Sequence, residues 1–267
     1  MSRKVHLVVI DPQVDFCDPS GALYVSGADA DIRRLAEMVR RVAPKLDDIH
    51  VTLDSHRLID VAHPIFWKDS SGRHPEPFTI ISAADVEAGK WAPTLPSLSR
   101  RMLEYVRELE ANGRYPLCVW PPHCLIGSPG HAVAPELREA LLQWESQRFA
   151  MVDYVTKGSN PWTEHYSAVC ADVPDPADPG TQLNTPFIQM LMDADLVGIA
   201  GEAGSHCLAN TVRDIANNFG DDSCVRRLVL LEDATSPVPG FEHFQTDFVR
   251  EMTARGMQIS NTREFLA

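Results

Sequence analysis

The sequence lacks any apolar segment approaching the roughly 20 residues that a membrane-spanning helix needs. It is also poor in basic residues, with 24 Lys and Arg against 37 Asp and Glu and a net charge of −13. Because the acidic residues are dispersed rather than gathered in a tail, they indicate a solvated surface and argue against nucleic acids or anionic membranes as partners. The chain also runs almost directly into a predicted strand. We therefore expect a cytoplasmic protein.

Paired cysteines and interdomain linkers are also missing. The six cysteines are scattered without a Cys-x-x-Cys pair, which favours reduced thiols over a disulfide framework. No Gly/Ser-rich linker, internal repeat or low-complexity block divides the 267 residues. We therefore expect a single domain over residues 1–267, long enough to bury a substantial core.

The chain does contain short apolar runs that alternate with amphipathic helical patterns. Strands are predicted at 5–10, 50–53, 116–120, 151–155, 196–200, 227–231 and 257–259. Helices are predicted at 32–42, 97–111, 135–146, 186–192, 206–219 and 241–254. This alternation indicates an α/β fold, with a parallel sheet covered by helices on both faces. Residues 59–96 and 171–186 break the rhythm and are expected to be lids or disordered insertions.

Cys207 stands at a predicted strand-to-helix turn. The apolar run that ends at Ala200 is followed by Gly201, and helical spacing of apolar residues begins at Leu208. In a parallel sheet such a turn lies where ligands bind, and the helix N-terminus there favours a thiolate and can place amides around an oxyanion. The alternative is a buried structural cysteine, the commonest role of a free thiol. The neighbouring His206 is expected to point away and to be structural.

Two charged residues follow other predicted strands. Asp11 comes directly after the first strand, and Lys157 follows the strand at 151–155. Taken singly, an Asp before Pro is usually a turn residue and a Lys is usually exposed. At one edge of a parallel sheet, however, the Asp can accept a thiol proton while the Lys stabilises a thiolate and holds the Asp ionised. Together with Cys207 they predict an activated cysteine nucleophile.

A set of metal-ligating side chains is predicted at the same edge. Asp54 and His56 are two residues apart after the second strand, so in extended chain they point the same way. His63 follows on the loop, and His123 comes after the strand at 116–120. One Asp and three His suit a divalent transition metal with open water positions, whether zinc, iron or manganese. Surface or core roles are the alternative for each His, and His74, in GRHPEP, is a rival third ligand.

Five segments together resemble the nicotinamidase and isochorismatase-like cysteine hydrolase superfamily. They occur in the order found in that family: VVIDPQVDFCDPSGALYV, VTLDSH followed by His63, VWPPHCLIGSPG, VTKGSNPWTEHYSA and GIAGEAGSHCLANTVRDIA. The resemblance covers the chain from start to end. It implies a Rossmann-like, three-layer α/β/α fold with a central, mostly parallel sheet of about six strands.

The resemblance also implies roles for individual residues. The catalytic triad falls on Asp11, Lys157 and Cys207, and a cis peptide before Ala203 aims the amides of Ala203 and Cys207 at the oxyanion. The implied metal site, with zinc as the first choice, consists of Asp54, His56, His63 and His123. The positions matching the aromatic pair that sandwiches a pyridine ring are Phe16 and Trp120, and Tyr166 is a further candidate for the pocket wall. Isochorismatases lack the metal set and often the Cys, so the amidase branch is favoured, and members of the superfamily are often homo-oligomers.

The chain departs from the family pattern at two kinds of position. Insertions are expected near 75–97 and 171–185, where they could cover the pocket, and EAGSHC replaces an ATDYC-like run before the nucleophile. The predicted function is metal-dependent hydrolysis of a small carboxamide, nicotinamide to nicotinate and ammonia, through a Cys207 thioester. The alternatives are a related hydrolase acting on a ureido or carbamoyl compound, a metallohydrolase in which the Cys is incidental, and a non-catalytic small-molecule binding protein on the same fold.

Overall fold

The computed structural model describes residues 3–267, in which strands and helices alternate along the chain. The strands are β1 (Val5–Ile10), β2 (Asp48–Asp54), β3 (Trp67–Lys68), β4 (Ile80–Ile81), β5 (Ala92–Pro93), β6 (Leu117–Cys118), β7 (Asp153–Lys157), β8 (Leu196–Gly201), β9 (Leu228–Leu231) and β10 (Gln258–Ser260). The helices are α1 (Val14–Cys17), α2 (Ala28–Val42), α3 (Ala83–Glu87), α4 (Ser99–Asn112), α5 (Pro135–Arg148), α6 (Thr185–Met192), α7 (Cys207–Asn218), α8 (Asp222–Val225) and α9 (Glu242–Arg255).

Six of the strands form one parallel sheet, in the order β10-β9-β8-β1-β2-β7. The chain moves from β1 towards β7 in one direction and from β8 towards β10 in the other. Right-handed crossovers therefore place α2 and α5 on one face and α6, α7 and α9 on the other. The contacts agree, because α2 packs against α5 and α7 packs against α9. The predicted fold class, an α/β fold with a six-stranded parallel sheet, is confirmed.

The direction of winding reverses beside β1. In open parallel sheets, ligands bind outside the carboxyl ends of the strands at such a reversal. The residues of β1 and β8 are all buried, so these two strands form the centre of the core and hold their carboxyl ends in a fixed relation.

The prediction of a sheet strand at 116–120 is wrong. Only Leu117–Cys118 is extended, as β6, and it pairs antiparallel with β4 outside the central sheet. Prolines flank the run at 116, 121 and 122, and proline supplies no N–H to a strand ladder. The amides of Val119 and Trp120 donate instead to the carbonyls of Thr79 and Ala62, at 2.9 and 2.7 Å.

The two segments that interrupt the α/β pattern are folded rather than disordered. In the first, β3 pairs antiparallel with β5, and residues such as Phe66, Trp67 and Ile81 form a second apolar cluster against α4. The second contains a 3₁₀ turn at Pro179–Thr181 and is closed by a hydrogen bond from the Ala171 amide to the Thr181 carbonyl at 3.0 Å.

All six cysteines are free. Over residues 3–267, no helix is both long enough and apolar enough to cross a bilayer.

Candidate active site

Four polar side chains converge at the carboxyl edge of the sheet. Asp11 follows β1, Asp54 ends β2, Lys157 ends β7, and Cys207 begins α7 after β8. Lys157 was predicted to follow its strand, but β7 runs two residues further because Asp54 and Lys157 pair across β2 and β7. This pairing places the Lys157 side chain beside the reversal point of the sheet.

Lys157 lies at the centre of this group. Its Nζ is 2.9 Å from Oδ2 of Asp11 and 3.1 Å from Oδ1 of Asp54, and it donates a hydrogen bond to Sγ of Cys207 at 3.5 Å. Asp11 and Lys157 are 0% and 2% exposed, so these interactions take place away from bulk water. A single ammonium therefore joins the predicted nucleophile to two carboxylates.

The buried environment sets the protonation of the three predicted catalytic residues. Burial raises the pKa of the Cys207 thiol well above its usual value, and the Lys157 ammonium opposes that shift. Burial also raises the pKa of Asp11, again against the effect of Lys157. Although burial disfavours its charge, the carboxylates of Asp11 and Asp54 raise the pKa of Lys157. Cys207 therefore rests as a thiol and needs a base in order to react.

Thr52 positions Asp11, a contact that the sequence did not indicate. The Thr52 hydroxyl donates to Oδ1 of Asp11 at 2.5 Å and accepts the Asp11 backbone N–H at 2.9 Å. Asp11 has a φ of 42°, in the left-handed region that non-glycine residues seldom adopt and that is found at functional sites. The available signal was spacing, because Thr52 and Asp54 are two residues apart on β2 and share one face of the strand.

The turn before α7 presents unused backbone amides beside the thiol. The peptide between Glu202 and Ala203 is cis, as the resemblance implied. The amides of His206 and Leu208 donate to the Ala203 carbonyl, at 3.0 and 3.2 Å, whereas those of Ala203 and Cys207 donate to no acceptor within the described chain. Two free amides at a helix N-terminus are suited to an oxyanion.

Three histidines gather around Asp54, each anchored through Nδ1. Nδ1 of His56 lies 3.0 Å from Oδ2 of Asp60, while His63 and His123 use Nδ1 to bond the carbonyls of Leu58 and Pro121, at 3.2 and 2.8 Å. In metal sites, a histidine commonly donates one ring N–H to a carboxylate or carbonyl, which orients the ring so that its other nitrogen can bind the metal.

The remaining ring nitrogens face one another. Oδ2 of Asp54 is 3.0 Å from Nε2 of His56 and 3.5 Å from Nε2 of His123, and the ring centroid of His63 is 5.3 and 5.7 Å from those of the same two histidines. Nε2 of His63 is buried without a partner among residues 3–267, and burial lowers the pKa of this ring to about 4. His56 differs from His63, because Asp54 and Asp60 lie 3.0 Å from its two ring nitrogens and, although burial disfavours the charged ring, they raise its pKa well above the usual value. A metal ion at this site would therefore replace a proton of His56. A carboxylate and imidazoles are ligands that a divalent transition metal takes.

His74 lies outside this cluster. Its side chain is exposed, and its Nδ1 is bonded to the Trp67 carbonyl at 2.6 Å. The structure therefore brings His63, rather than the rival His74, beside His56 and His123. His123 reaches the cluster from the loop after β6 and not from the central sheet, because the run at 116–120 does not join that sheet.

A cleft of about 390 Å³, including space open to solvent, is lined by Cys207 and, from the cluster, by Asp54 and His123. Its walls combine polar and apolar side chains from several elements: Phe16, Leu23, Val25, Asp54, Trp120, His123, Glu164, Tyr166, Ala203, His206, Cys207 and Val238. All three predicted substrate-binding aromatics thus line the same cleft as Cys207, and Nε1 of Trp120 donates to the Tyr166 hydroxyl at 3.0 Å.

The expectation that His206 points away from the site is wrong, because its ring lines the cleft. The helix begins at Cys207, and His206 precedes it with φ −132° and ψ −91°. Helical periodicity therefore does not set the direction of this side chain. The ring is held in a group of aromatic side chains that includes Tyr115 and Trp120.

Glu164 is a second cleft residue for which the sequence suggested no role. It lies in the segment TEHYSA between Lys157 and Tyr166, and burial raises the pKa of its carboxyl to about 8. Its Oε2 has no hydrogen-bond partner in the described chain. The segment was recognisable, but nothing in it distinguished an inward carboxyl from a surface one.

The two insertions support the cleft walls rather than covering the cleft. Phe78, in the first, makes an edge contact with Trp120 at 5.7 Å between ring centroids. Asp172, in the second, accepts the Tyr166 backbone N–H at 3.0 Å. Neither residue lines the cleft itself.

The site thus consists of a cysteine at the turn after β8 of a six-stranded parallel sheet, beside an Asp that follows β1 and a Lys that ends β7. No protein-family model matches the sequence, and no curated protein matches it. Similarity is found at the level of three-dimensional structure.

Several solved structures match the chain over nearly its whole length. The yeast nicotinamidase bound to the inhibitor nicotinaldehyde is 18% identical, covers 96% of this chain and 99% of its own, and has a TM-score of 0.66. The Acinetobacter baumanii nicotinamidase/pyrazinamidase is 17% identical, with 98% of each chain covered and a TM-score of 0.63. The Pyrococcus horikoshii pyrazinamidase in complex with zinc is 21% identical, with 97% and 99% covered and a TM-score of 0.58. The predicted resemblance is thus confirmed for the fold.

Proposed function

We propose that this protein is a cysteine amidohydrolase that converts a small aromatic carboxamide, nicotinamide in the first instance, to the acid and ammonia. The observation that carries the proposal is the contact of Lys157 with both Cys207 and Asp11 beside an aromatic-lined cleft. These groups can activate the thiol as a nucleophile, because the carboxylate can take its proton and the ammonium stabilises both the thiolate and the carboxylate. A protein that only binds a small molecule does not require a thiol, a carboxylate and an ammonium in contact, so this arrangement favours an enzyme.

The first half of the reaction forms a thioester. Asp11 takes the proton of Cys207, and the sulfur lone pair attacks the carboxamide carbon while the C=O π electrons move to oxygen. The amides of Ala203 and Cys207 hold the resulting oxyanion, each donor contributing about 3 kcal/mol by comparison with other acyl-transfer sites. The oxyanion then collapses, the C–N bond breaks, and Asp11 gives its proton to the departing nitrogen, which leaves as ammonia.

The second half returns the enzyme to its starting state. Asp11, again a carboxylate, takes a proton from water as the water oxygen attacks the thioester carbon. The C–S bond then breaks, the acid leaves, and Asp11 returns the proton to the thiolate. Throughout, the Lys157 ammonium stabilises whichever neighbour is negative, which explains why a buried lysine is retained between two carboxylates.

The residues proposed to hold one divalent metal ion, with zinc preferred, are Asp54, His56, His63 and His123. Their donor set and the buried, unpartnered Nε2 of His63 fit such an ion. When bound, the ion would supply a Lewis acid and would lower the pKa of a water molecule bound to it. A zinc complex of a protein with this fold supports the choice of metal.

The shape of the cleft favours a flat heteroaromatic ring. Phe16, Trp120 and Tyr166 give it aromatic walls, and a planar ring gains both apolar burial and ring contacts in such a space. The yeast protein with this fold is described with nicotinaldehyde, which has the same pyridine ring, as its inhibitor. This supports nicotinamide as the first substrate to test.

Ammonia release from nicotinamide by zinc-loaded protein tests the proposal. The wild type is expected to release ammonia and nicotinate in equal amounts, and Cys207→Ala is expected to release none while keeping the metal and the fold. Cys224→Ala is the matched control, because this thiol is distant in sequence and does not line the cleft. Normal turnover by Cys207→Ala would refute the mechanism. Failure of active-thiol, zinc-loaded wild type to hydrolyse nicotinamide would exclude that substrate.

A further inference from the structure

Glu202 is a buried acidic residue in the turn that carries Cys207, and the proposed reaction does not use it. It follows β8 directly, is 0% exposed and does not line the cleft. Its backbone N–H donates to the carbonyl of Ile10 at 2.8 Å, which fixes the residue against the end of β1. Because burying a carboxyl away from water is costly, its partners indicate what it stabilises.

The Glu202 carboxyl binds the loop that follows β9. Its Oε2 accepts the backbone N–H of Ser236 at 3.1 Å. The Ser236 hydroxyl in turn donates to Oδ2 of Asp31, on α2, at 2.6 Å. Arg34, one turn further along α2, pairs with Asp31 and donates from Nε to the Asp233 carbonyl at 2.6 Å. Through Ser236, Glu202 therefore joins the turn after β8 to the loop after β9 and to α2.

The surroundings of Glu202 favour its uncharged form. Burial raises the pKa of its carboxyl well above the usual value, and the Asp31 carboxylate raises it further, against the smaller effects of the Ser236 N–H and the Arg34 guanidinium. The nearby Cys17 thiol is neutral as well, because burial raises its pKa well above the usual value. Oε1 of Glu202 is buried without a partner among residues 3–267, which a neutral carboxyl tolerates better than an anion does.

Ser236 binds both neighbours of Ala203 in the chain. Its N–H is bonded to the Glu202 carboxyl, and its carbonyl accepts the Gly204 N–H at 2.9 Å. Ala203 therefore lies between two residues that are bonded to the same residue of the loop. The Ala203 amide is one of the two proposed to hold the oxyanion, so its position depends on the contact between Glu202 and Ser236.

We propose that Glu202 is a positioning residue, whose buried, uncharged carboxyl binds the Ser236 N–H and so holds the Ala203 amide where the oxyanion forms. This inference rests on the proposed amidase function. Because Glu202 does not line the cleft, it acts through the backbone of the turn and not on the substrate. Its effect should therefore be felt when the tetrahedral oxyanion forms and not when the amide binds.

Two substitutions of Glu202 test this role in the zinc-loaded enzyme. Glu202→Leu removes the acceptor of the Ser236 N–H, whereas Glu202→Gln keeps an uncharged oxygen acceptor. Glu110→Leu is the matched control, because the Glu110 carboxyl also accepts a backbone N–H, from Ala83 at 2.8 Å, but lies outside the cleft.

The expected result is a loss of kcat without a matching change in KM. For nicotinamide, Glu202→Leu should lower kcat about tenfold, which is less than the loss from removing an oxyanion donor outright. KM should stay within about twofold of the wild type. Glu202→Gln should keep most of the activity, and Glu110→Leu should keep all of it. An unchanged kcat in Glu202→Leu would overturn the positioning role and leave the amidase function standing, whereas a wild type that releases no ammonia from any small amide would overturn both.

The aldehyde analogue of nicotinamide separates oxyanion binding from ring binding. The Cys207 sulfur bonds to the aldehyde carbon while the C=O π electrons move to oxygen, which takes up the thiol proton, so that the oxygen occupies the oxyanion position. Its Kd should rise about tenfold in Glu202→Leu, whereas the Kd of nicotinate should not change. An unchanged Kd for the aldehyde, or equal losses for both ligands, would overturn the proposal.

Amide hydrogen exchange gives a readout that does not depend on turnover. The Ser236 N–H should be protected in the wild type and in Glu202→Gln, and it should exchange at least about tenfold faster in Glu202→Leu. Equal exchange rates in the wild type and Glu202→Leu would overturn the role of Glu202. A rapidly exchanging Ser236 N–H in the wild type would do so even if the leucine variant were too unstable to study.

Discussion

The contact between Thr52 and Asp11 gives the sharpest test of the proposed general base. Thr52→Val removes the hydroxyl that donates to Oδ1 of Asp11 and accepts its backbone N–H, while keeping nearly the same shape. The ion pair of Lys157 with the other carboxylate oxygen, Oδ2, is untouched. The substitution therefore changes the proton affinity of Asp11 without removing a member of the predicted triad.

The size of the effect can be worked from these contacts. A hydrogen bond to a charged group is worth about 1.5–3 kcal/mol. At about 1.36 kcal/mol per pKa unit, its loss raises the pKa of the Asp11 carboxyl by roughly one to two units. Burial already raises that pKa, and Asp11 must be ionised to accept the thiol proton. As the pH is lowered, the variant should therefore begin to lose activity at a higher pH than the wild type does.

The assay is the pH profile of kcat/KM for the amide substrate. In Thr52→Val the acid limb should move to higher pH by about one to two units, whereas Thr52→Ser, which keeps a hydroxyl, should follow the wild type. Urea unfolding should show a loss of about 1–3 kcal/mol in the valine variant, because the buried Asp11 N–H loses its acceptor. An acid limb that superimposes on that of the wild type would refute the assignment of Asp11 as the base.

Three further predictions concern the surroundings of the triad. Asp60→Asn, which weakens the hydrogen bond to Nδ1 of His56, should reduce zinc affinity about 10- to 100-fold by competition with a chelator, while Asp193→Asn, at an exposed residue outside the site, should not; equal affinities would refute the role of Asp60 in orienting His56. Lys157→Met should cost about 3–5 kcal/mol in urea unfolding at neutral pH, because it leaves buried carboxylates uncompensated, and a loss below about 1 kcal/mol would contradict the ion-pair network. Phe16→Ala should raise KM for an aromatic amide more than it lowers kcat, and an unchanged KM would argue against ring binding at this wall.

The sequence predicted the central sheet well because buried parallel strands have a local signature. The runs that became β1 and β8 are apolar except for His6 and are bounded by polar or small residues, so the sequence predicted their type and position. Placing Asp11, Lys157 and Cys207 together required only that the strands be parallel, because the carboxyl ends of parallel strands share one edge.

The wrong or missing predictions concern residues whose structure depends on contacts with residues distant in the sequence. The apolar run at 116–120 resembles a buried strand, but prolines at its ends and hydrogen bonds to the first insertion hold it outside the sheet. His206 was misjudged by applying helical geometry to a residue that precedes the helix. The spacing of Thr52 and Asp54 placed Thr52 on the same face of β2, but its contact with Asp11 depends on the alignment of β1 with β2, which the sequence does not give.

The most direct test of the central claim is rapid-quench mass spectrometry of the zinc-loaded protein mixed with nicotinamide. If Cys207 is the nucleophile, the peptide that contains it should transiently gain the mass of a nicotinoyl group, and this species should form and decay fast enough to account for ammonia release. Turnover without any acyl group on Cys207, and undiminished in Cys207→Ala, would contradict the account.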